Sequence, residues 1–101
     1  MIKLTVLYHP PTDPAAFEKY YASEHMALVH KIPGLGRYER AKVVGMPDGG
    51  PAPFQRMFEF WFDDQDHMNR VLGSPEAQVA VADLANFATG GATMIVSQVE
   101  N

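Results

Sequence analysis

The run Phe58-Glu59-Phe60-Trp61-Phe62 limits the possible folds of this chain more than any other feature. It closes a predicted strand over 55–62, and the alternation of a strand sends its large aromatics to both faces. A strand apolar on both sides is normally covered on both sides. A chain of 101 residues builds one domain, spanning 1–101, around a single core. If its helices cover one face of the sheet, the other face needs a second cover, and another protomer supplies it most economically.

The remaining elements follow from runs and breaks. Residues 2–9 are β-branched and apolar until Pro10-Pro11 stops them, giving a first strand. Asp13 is an N-cap with Pro14 at the first helical position, where a missing N–H costs nothing. The spacing predicts one continuous helix from there to about Lys31, ending before Pro33-Gly34. On it Phe17, Tyr21, Glu24 and Leu28 share one face, with His25 and Tyr20 on opposite flanks. A second strand is expected over 35–45, and a loop rich in glycine and proline over 45–53. Asp63 opens a short helix to about Leu72. Ser74-Pro75 caps a further segment whose face holds Ala77, Ala80, Leu84 and Phe87, with Asp83 beside it. Gly90-Gly91 ends that segment, and Thr93–Val99 forms the last strand. The order is βαββαβ, the α+β ferredoxin-like arrangement with a four-stranded antiparallel sheet.

Charge and composition remove whole classes of function. Eight basic and twelve acidic residues leave a net charge of −4 with no basic stripe, so no nucleic-acid partner is expected. The chain has no cysteine, which rules out disulfides, thiolate metal sites and cysteine nucleophiles. No stretch approaches a bilayer span, and Met1–Tyr8 lacks the long apolar core of a signal peptide. The expectation is a cytoplasmic protein with no membrane partner.

His25 is the residue to single out. An imidazole titrates near neutral pH and could move a proton on a bound ketone, phenol or enolate. The alternative is a structural histidine at the helix–sheet boundary. Tyr8, Tyr20, Tyr21, Trp61 and Phe87 supply aromatic walls and hydroxyl handles for a pocket, or plain core. Tyr20 and Tyr21 diverge by about 100° on a helix, so at most one faces such a pocket squarely, and Tyr21 lies on the core stripe. Asp83 would orient a histidine or meet water. The cluster Asp63, Asp64, Asp66, His67 reads as carboxylates at a helix start rather than a metal site, since it lacks the glycine and distal glutamate of a calcium loop. His9 and His30 read as solvated. The pairs Gly49-Gly50 and Gly90-Gly91 lack the strand–turn–helix context of a dinucleotide site.

The stretch Tyr20-Tyr21-Ala22-Ser23-Glu24-His25-Met26-Ala27-Leu28, then Lys31-Ile32-Pro33-Gly34-Leu35 and Tyr38, resembles the EthD family. So do Lys3–Tyr8, Pro11–Phe17, Phe62-Asp63 and Ser74-Pro75-Glu76, so the likeness spans nearly the whole chain. The resemblance implies a homodimer in which two sheets pack face to face as a dimeric α+β barrel, each protomer keeping a pocket between sheet and helices. The family is named for a gene cluster concerned with ether degradation, and its members are sometimes labelled reductases. Relatives of the same architecture include metal- and flavin-free monooxygenases, isomerases, polyketide cyclases and haem-degrading enzymes, so the fold does not name the chemistry.

Together these features point to a cofactor-independent enzyme acting on a small apolar oxygenated compound such as a ketone, lactone or polyketide fragment. His25 would be its general acid/base, Tyr21 an orienting hydroxyl, and Tyr8, Tyr20, Trp61 and Phe87 its substrate contacts, with no metal and no cofactor. The other reading is a non-catalytic protein that holds a hydrophobic metabolite or haem, with His25 as an axial ligand.

Overall fold

The computed structural model describes residues 1–100. Its strands are β1 (Ile2–Tyr8), β2 (Tyr38–Lys42), β3 (Arg56–Phe62) and β4 (Ala92–Gln98). They form one sheet in the order β2-β3-β1-β4, with every neighbouring pair antiparallel. This is the ferredoxin-like α+β arrangement expected from the element order. Strand β2 is shorter than the predicted 35–45: Gly34 turns the chain at φ +76°, and the ladder with β3 runs only from Tyr38 to Lys42.

Register separates the two faces. Val6 lies opposite Phe58 and Met94, and Leu4 opposite Phe60 and Val96, so these side chains share the face under the helices. Val6, Tyr8 and Phe58 pack there with Phe17, Tyr21, Met26, Val29 and Phe87 from the helical layer. A second cluster joins Leu4, Phe62, Met68 and Val71 at the other end. Lys3 lies opposite Trp61, Thr5 opposite Glu59 and Leu7 opposite Met57, on the face no helix covers. There the Arg37 guanidinium stacks 4.1 Å from the Trp61 ring centre, and Lys3 Nζ lies 2.9 Å from Glu59 Oε2.

The first helical stretch differs from the continuous helix expected to Lys31. Asp13 caps α1 (Pro14–Tyr20) by accepting from the Ala16 N–H at 3.1 Å. A π-helical turn over Tyr21–His25 follows, closed by the Met26 N–H donating to the Tyr21 carbonyl, and α2 (Met26–Val29) completes the stretch. The wider turn holds one more residue than an α-turn, which rotates everything after it. The buried row therefore runs Phe17, Tyr21, His25, Val29, while Glu24 is exposed and Leu28 half-buried. The expected row through Glu24 and Leu28 is corrected by that one inserted residue.

The second helical layer is also divided. Helix α3 (Gln65–Leu72) starts at Asp64, whose Oδ1 accepts from the His67 N–H at 2.8 Å. His67 Nδ1 accepts in turn from the Asp63 N–H at 3.1 Å. Ser74 caps α4 (Pro75–Ala82), and the chain breaks at Asp83 before the single turn α5 (Leu84–Phe87). No helix among the described residues is long and apolar enough to cross a membrane.

Candidate active site

His25 and Asp83 are both buried, at 4% and 6% exposure, and they meet where the π-turn faces the α4–α5 break. His25 Nδ1 lies 2.9 Å from Asp83 Oδ2. The other carboxylate oxygen, Oδ1, accepts from the Tyr20 hydroxyl at 2.6 Å and from Asn86 Nδ2 at 2.9 Å. Burial alone would push the Asp83 carboxyl up, but hydrogen bonds from Tyr20, Asn86 and His25 outweigh it and hold it below the usual carboxylate range. Asp83 is therefore an anion at neutral pH, and an anion can only accept. The proton of neutral His25 must sit on Nδ1, which leaves Nε2 as a lone-pair acceptor.

Nε2 makes no hydrogen bond to any described residue, and His25 forms part of the wall of a cavity of about 130 Å³ between sheet and helices. The cavity is otherwise apolar except for Tyr8: Val6, Phe58 and Phe60 floor it, Val29, Ile32, Leu35 and Val71 close one side, and Ala77, Ala80 and Leu84 the other. Burial lowers the His25 pKa, and Asp83 opposes that shift without cancelling it. A neutral, oriented imidazole base thus faces an apolar chamber, a geometry suited to taking a proton from a bound molecule and returning it.

The structure distributes the other predicted site residues differently. Tyr8 also lines the cavity, and burial raises its phenol, with Tyr21 and Asp83 adding to the rise. Tyr21 is fully buried but sits behind the wall, stacked on Phe17 at 5.8 Å and flanked by the Arg56 and Arg40 guanidiniums at 4.7 and 5.7 Å from its ring centre. Its hydroxyl is buried without a hydrogen-bond partner, and burial pushes its pKa up to about 12. Neither tyrosine of the pair faces the cavity, because Tyr20 turns instead toward Asp83. Phe87 backs the imidazole at 4.7 Å between ring centres and stacks on Tyr20 at 5.2 Å, again outside the cavity lining.

Trp61 requires the plainest correction. Pairing with Lys3 places it on the uncovered sheet face, so it cannot wall a cavity on the opposite side. The haem expectation also fails a fit: about 130 Å³ is roughly benzene-sized space, far less than a macrocycle needs, and no cation lines it to meet propionates. Two contributors were missed. Asn86 stands one helical turn from Asp83 at the i+3 position, a spacing that could have flagged it. Met94, whose exposure on an edge strand gave no hint, lines the mouth of the cavity.

Fold and site together define a ferredoxin-like α+β protein with an aspartate-held histidine at an apolar cavity. The chain belongs to the EthD family, whose domain matches residues 9–91. It is 38% identical over 100 residues to an uncharacterized 11.0 kDa protein of Rhodococcus erythropolis from the thcB-thcC intergenic region, covering 99% of this chain and 96% of that protein. An ethyl tert-butyl ether D (EthD) family protein from Bacillus halodurans superposes with a TM-score of 0.90 at 31% identity, covering 99% of each chain. A dimeric ferredoxin-like protein of unknown function from Jannaschia shares the fold at a TM-score of 0.75 and 16% identity, over 97% of this chain and 98% of that one.

Proposed function

We propose that this protein is a cofactor-independent enzyme in which His25, held by Asp83, moves a proton on a small apolar oxygenated compound. The observation that carries the reading is the unpartnered Nε2 in the wall of an apolar cavity, with its Nδ1 bonded to a buried carboxylate. A C–H beside a carbonyl, or an O–H, gives its proton to Nε2. The imidazolium that forms is stabilised by Asp83 and returns the proton to another atom of the same molecule, so the step is redox-neutral. Tyr8 is the one other polar side chain of the lining and would hydrogen-bond the ligand oxygen. Tyr21 supports this arrangement from behind and does not touch the ligand.

The working form we propose is a homodimer, with the face bearing Leu7, Met57 and Trp61 covered by the same face of a second copy. Dimeric neighbours with this fold support that assembly.

The test is hydrogen–deuterium exchange at carbons next to the carbonyl across a panel of small cyclic ketones in deuterated buffer, followed by proton NMR. Exchange catalysed by the wild type and abolished in His25→Ala supports proton transfer. Saturable binding without His25-dependent exchange of any panel member would replace it with a role in holding a hydrophobic metabolite, the reading favoured by the scarcity of polar groups in the cavity.

A further inference from the structure

The charge and size of the cavity restrict its ligand beyond the description "apolar and oxygenated". No lysine, arginine, serine, threonine, asparagine or glutamine lines it, and its polar groups are His25 and Tyr8. Directly behind His25 lies the Asp83 carboxylate, bonded to its Nδ1, while the Arg56 and Arg40 guanidiniums are held on the Tyr21 ring outside the lining. An anionic ligand would enter low-dielectric space with no cation to meet it, facing a second anion across one imidazole. Carboxylates, phosphate esters and nucleotide-bearing thioesters are disfavoured on that ground.

The polarity of the hydrogen bond is also set. Because Asp83 claims the Nδ1 proton, Nε2 can only accept, so a ligand satisfies it by donating an O–H. A carbonyl or ether oxygen in the same place would leave the lone pair unpaired. Size completes the restriction. An apolar cavity of about 150 Å³ accommodates benzene, and about 130 Å³ here holds one ring. Two of its lining residues, Val81 and Met94, are half exposed at 50% and 42%, which puts the mouth between α4 and β4. Val96 continues that apolar lip along β4 at 51% exposure. A substituent leaving the chamber there meets hydrocarbon.

Resting on the proton-transfer reading above, we infer that the site takes an uncharged single-ring hydroxyl compound, a phenol or the enol form of a cyclic ketone, with its O–H donated to His25 Nε2 and any hydrocarbon substituent leaving past Val81 and Met94. The ring oxygen substituent lies next to Tyr8, and the ring itself packs on Val6 and Phe58.

Calorimetric titration with phenol, anisole and benzoate tests the class, because these three share a ring and differ in donor and charge. Phenol is expected to bind about tenfold or more tighter than anisole, the size of one lost hydrogen bond, and benzoate is expected not to bind at phenol-saturating concentrations. Bound phenol should also shift the Nε2 nitrogen resonance of His25. Equal binding of anisole, any binding of benzoate at that concentration, no phenol binding at millimolar concentration, or an unmoved Nε2 resonance would each overturn the inference. The two readings fail separately: loss of the phenol preference refutes the ligand class whatever the exchange result. An intact preference without His25-dependent exchange refutes only the enzyme.

Discussion

Replacing Asp83 by asparagine should turn the site's base into a donor without disturbing its shape. Oδ1 of Asp83 accepts two hydrogen bonds, from Tyr20 and Asn86, whereas Oδ2 accepts one from His25. In Asp83→Asn the amide carbonyl therefore stays on the Tyr20–Asn86 side, and the NH₂ group takes the place of Oδ2. If His25 kept its proton on Nδ1, two buried donors would face each other unsatisfied, at a cost of about 1–3 kcal/mol each. The opposite amide orientation would set the NH₂ against two donors and costs at least as much. Moving the histidine proton to Nε2 relieves the conflict, and roughly 2 kcal/mol already favours that tautomer about thirtyfold. The assay is nitrogen-15 NMR of the histidine rings near neutral pH. The wild type should show Nδ1–H for His25 and the variant Nε2–H, with the imidazole pKa falling further because the supporting anion is gone. His25-dependent proton exchange should drop about 10²–10⁴-fold with little change in fold. An unchanged Nδ1–H tautomer in the variant, or Nε2–H already in the wild type, would refute the assignment of roles.

Acid should destabilise the protein in two stages. The His25 pKa is lowered from 6.5 in the folded state, so the unfolded chain takes that proton first and stability falls as pH drops below about 6.5. Asp83, lowered from 3.8, adds a further loss as pH falls through the carboxylate range. Urea melts across pH should show the first stage, limited to about 1.4 kcal/mol per pH unit for one proton, flattened in His25→Phe. Gly90→Ala should lower stability by about 1–3 kcal/mol or more, since a Cβ there would overlap the Pro10 carbonyl oxygen, a rigid backbone atom; equal urea midpoints would contradict it. Leu7→Lys, on the central strand of the uncovered face, should convert the proposed dimer to monomer in sedimentation velocity while leaving the far-UV circular dichroism unchanged.

The fold was legible because its signals are local and agree with one another. Asp13 and Ser74 cap helices where their spacing puts them, and the aromatics of β3 do fall on both faces. Such agreement across independent signals is what specifies a unique topology. The site was legible only in part. His25 stands out as an ionisable ring near a core stripe, but periodicity set it on the flank because an α-helical count was applied through a π-turn that no residue in Tyr21–His25 announces. Trp61 reads as a pocket wall only from its aromatic character. Only the register of β1 with β3 tells which face it takes. Asp83 could not be resolved from sequence because its meaning depends on a partner 58 residues away.

A π-turn in one helical layer and a buried aspartate in the other make the site. An uninterrupted first helix would turn Glu24 toward the apolar core, where an ionised carboxylate is costly. The π-turn exchanges that glutamate for His25 and leaves Glu24 in water. Across the interface, Asp83 ends α4 with its N–H still bonded to the Val79 carbonyl and stands three residues after Ala80, as the polar member of the buried row Ala77, Ala80, Phe87. Neither feature is useful alone. Without Asp83, His25 would be an imidazole with no orienting anion and no preferred tautomer. Without the π-turn, Asp83 would be a buried carboxylate deprived of one of its three donors. Packing by itself would favour apolar residues at both positions, so a buried His25–Asp83 pair in an otherwise apolar layer is the feature that the proposed proton transfer accounts for.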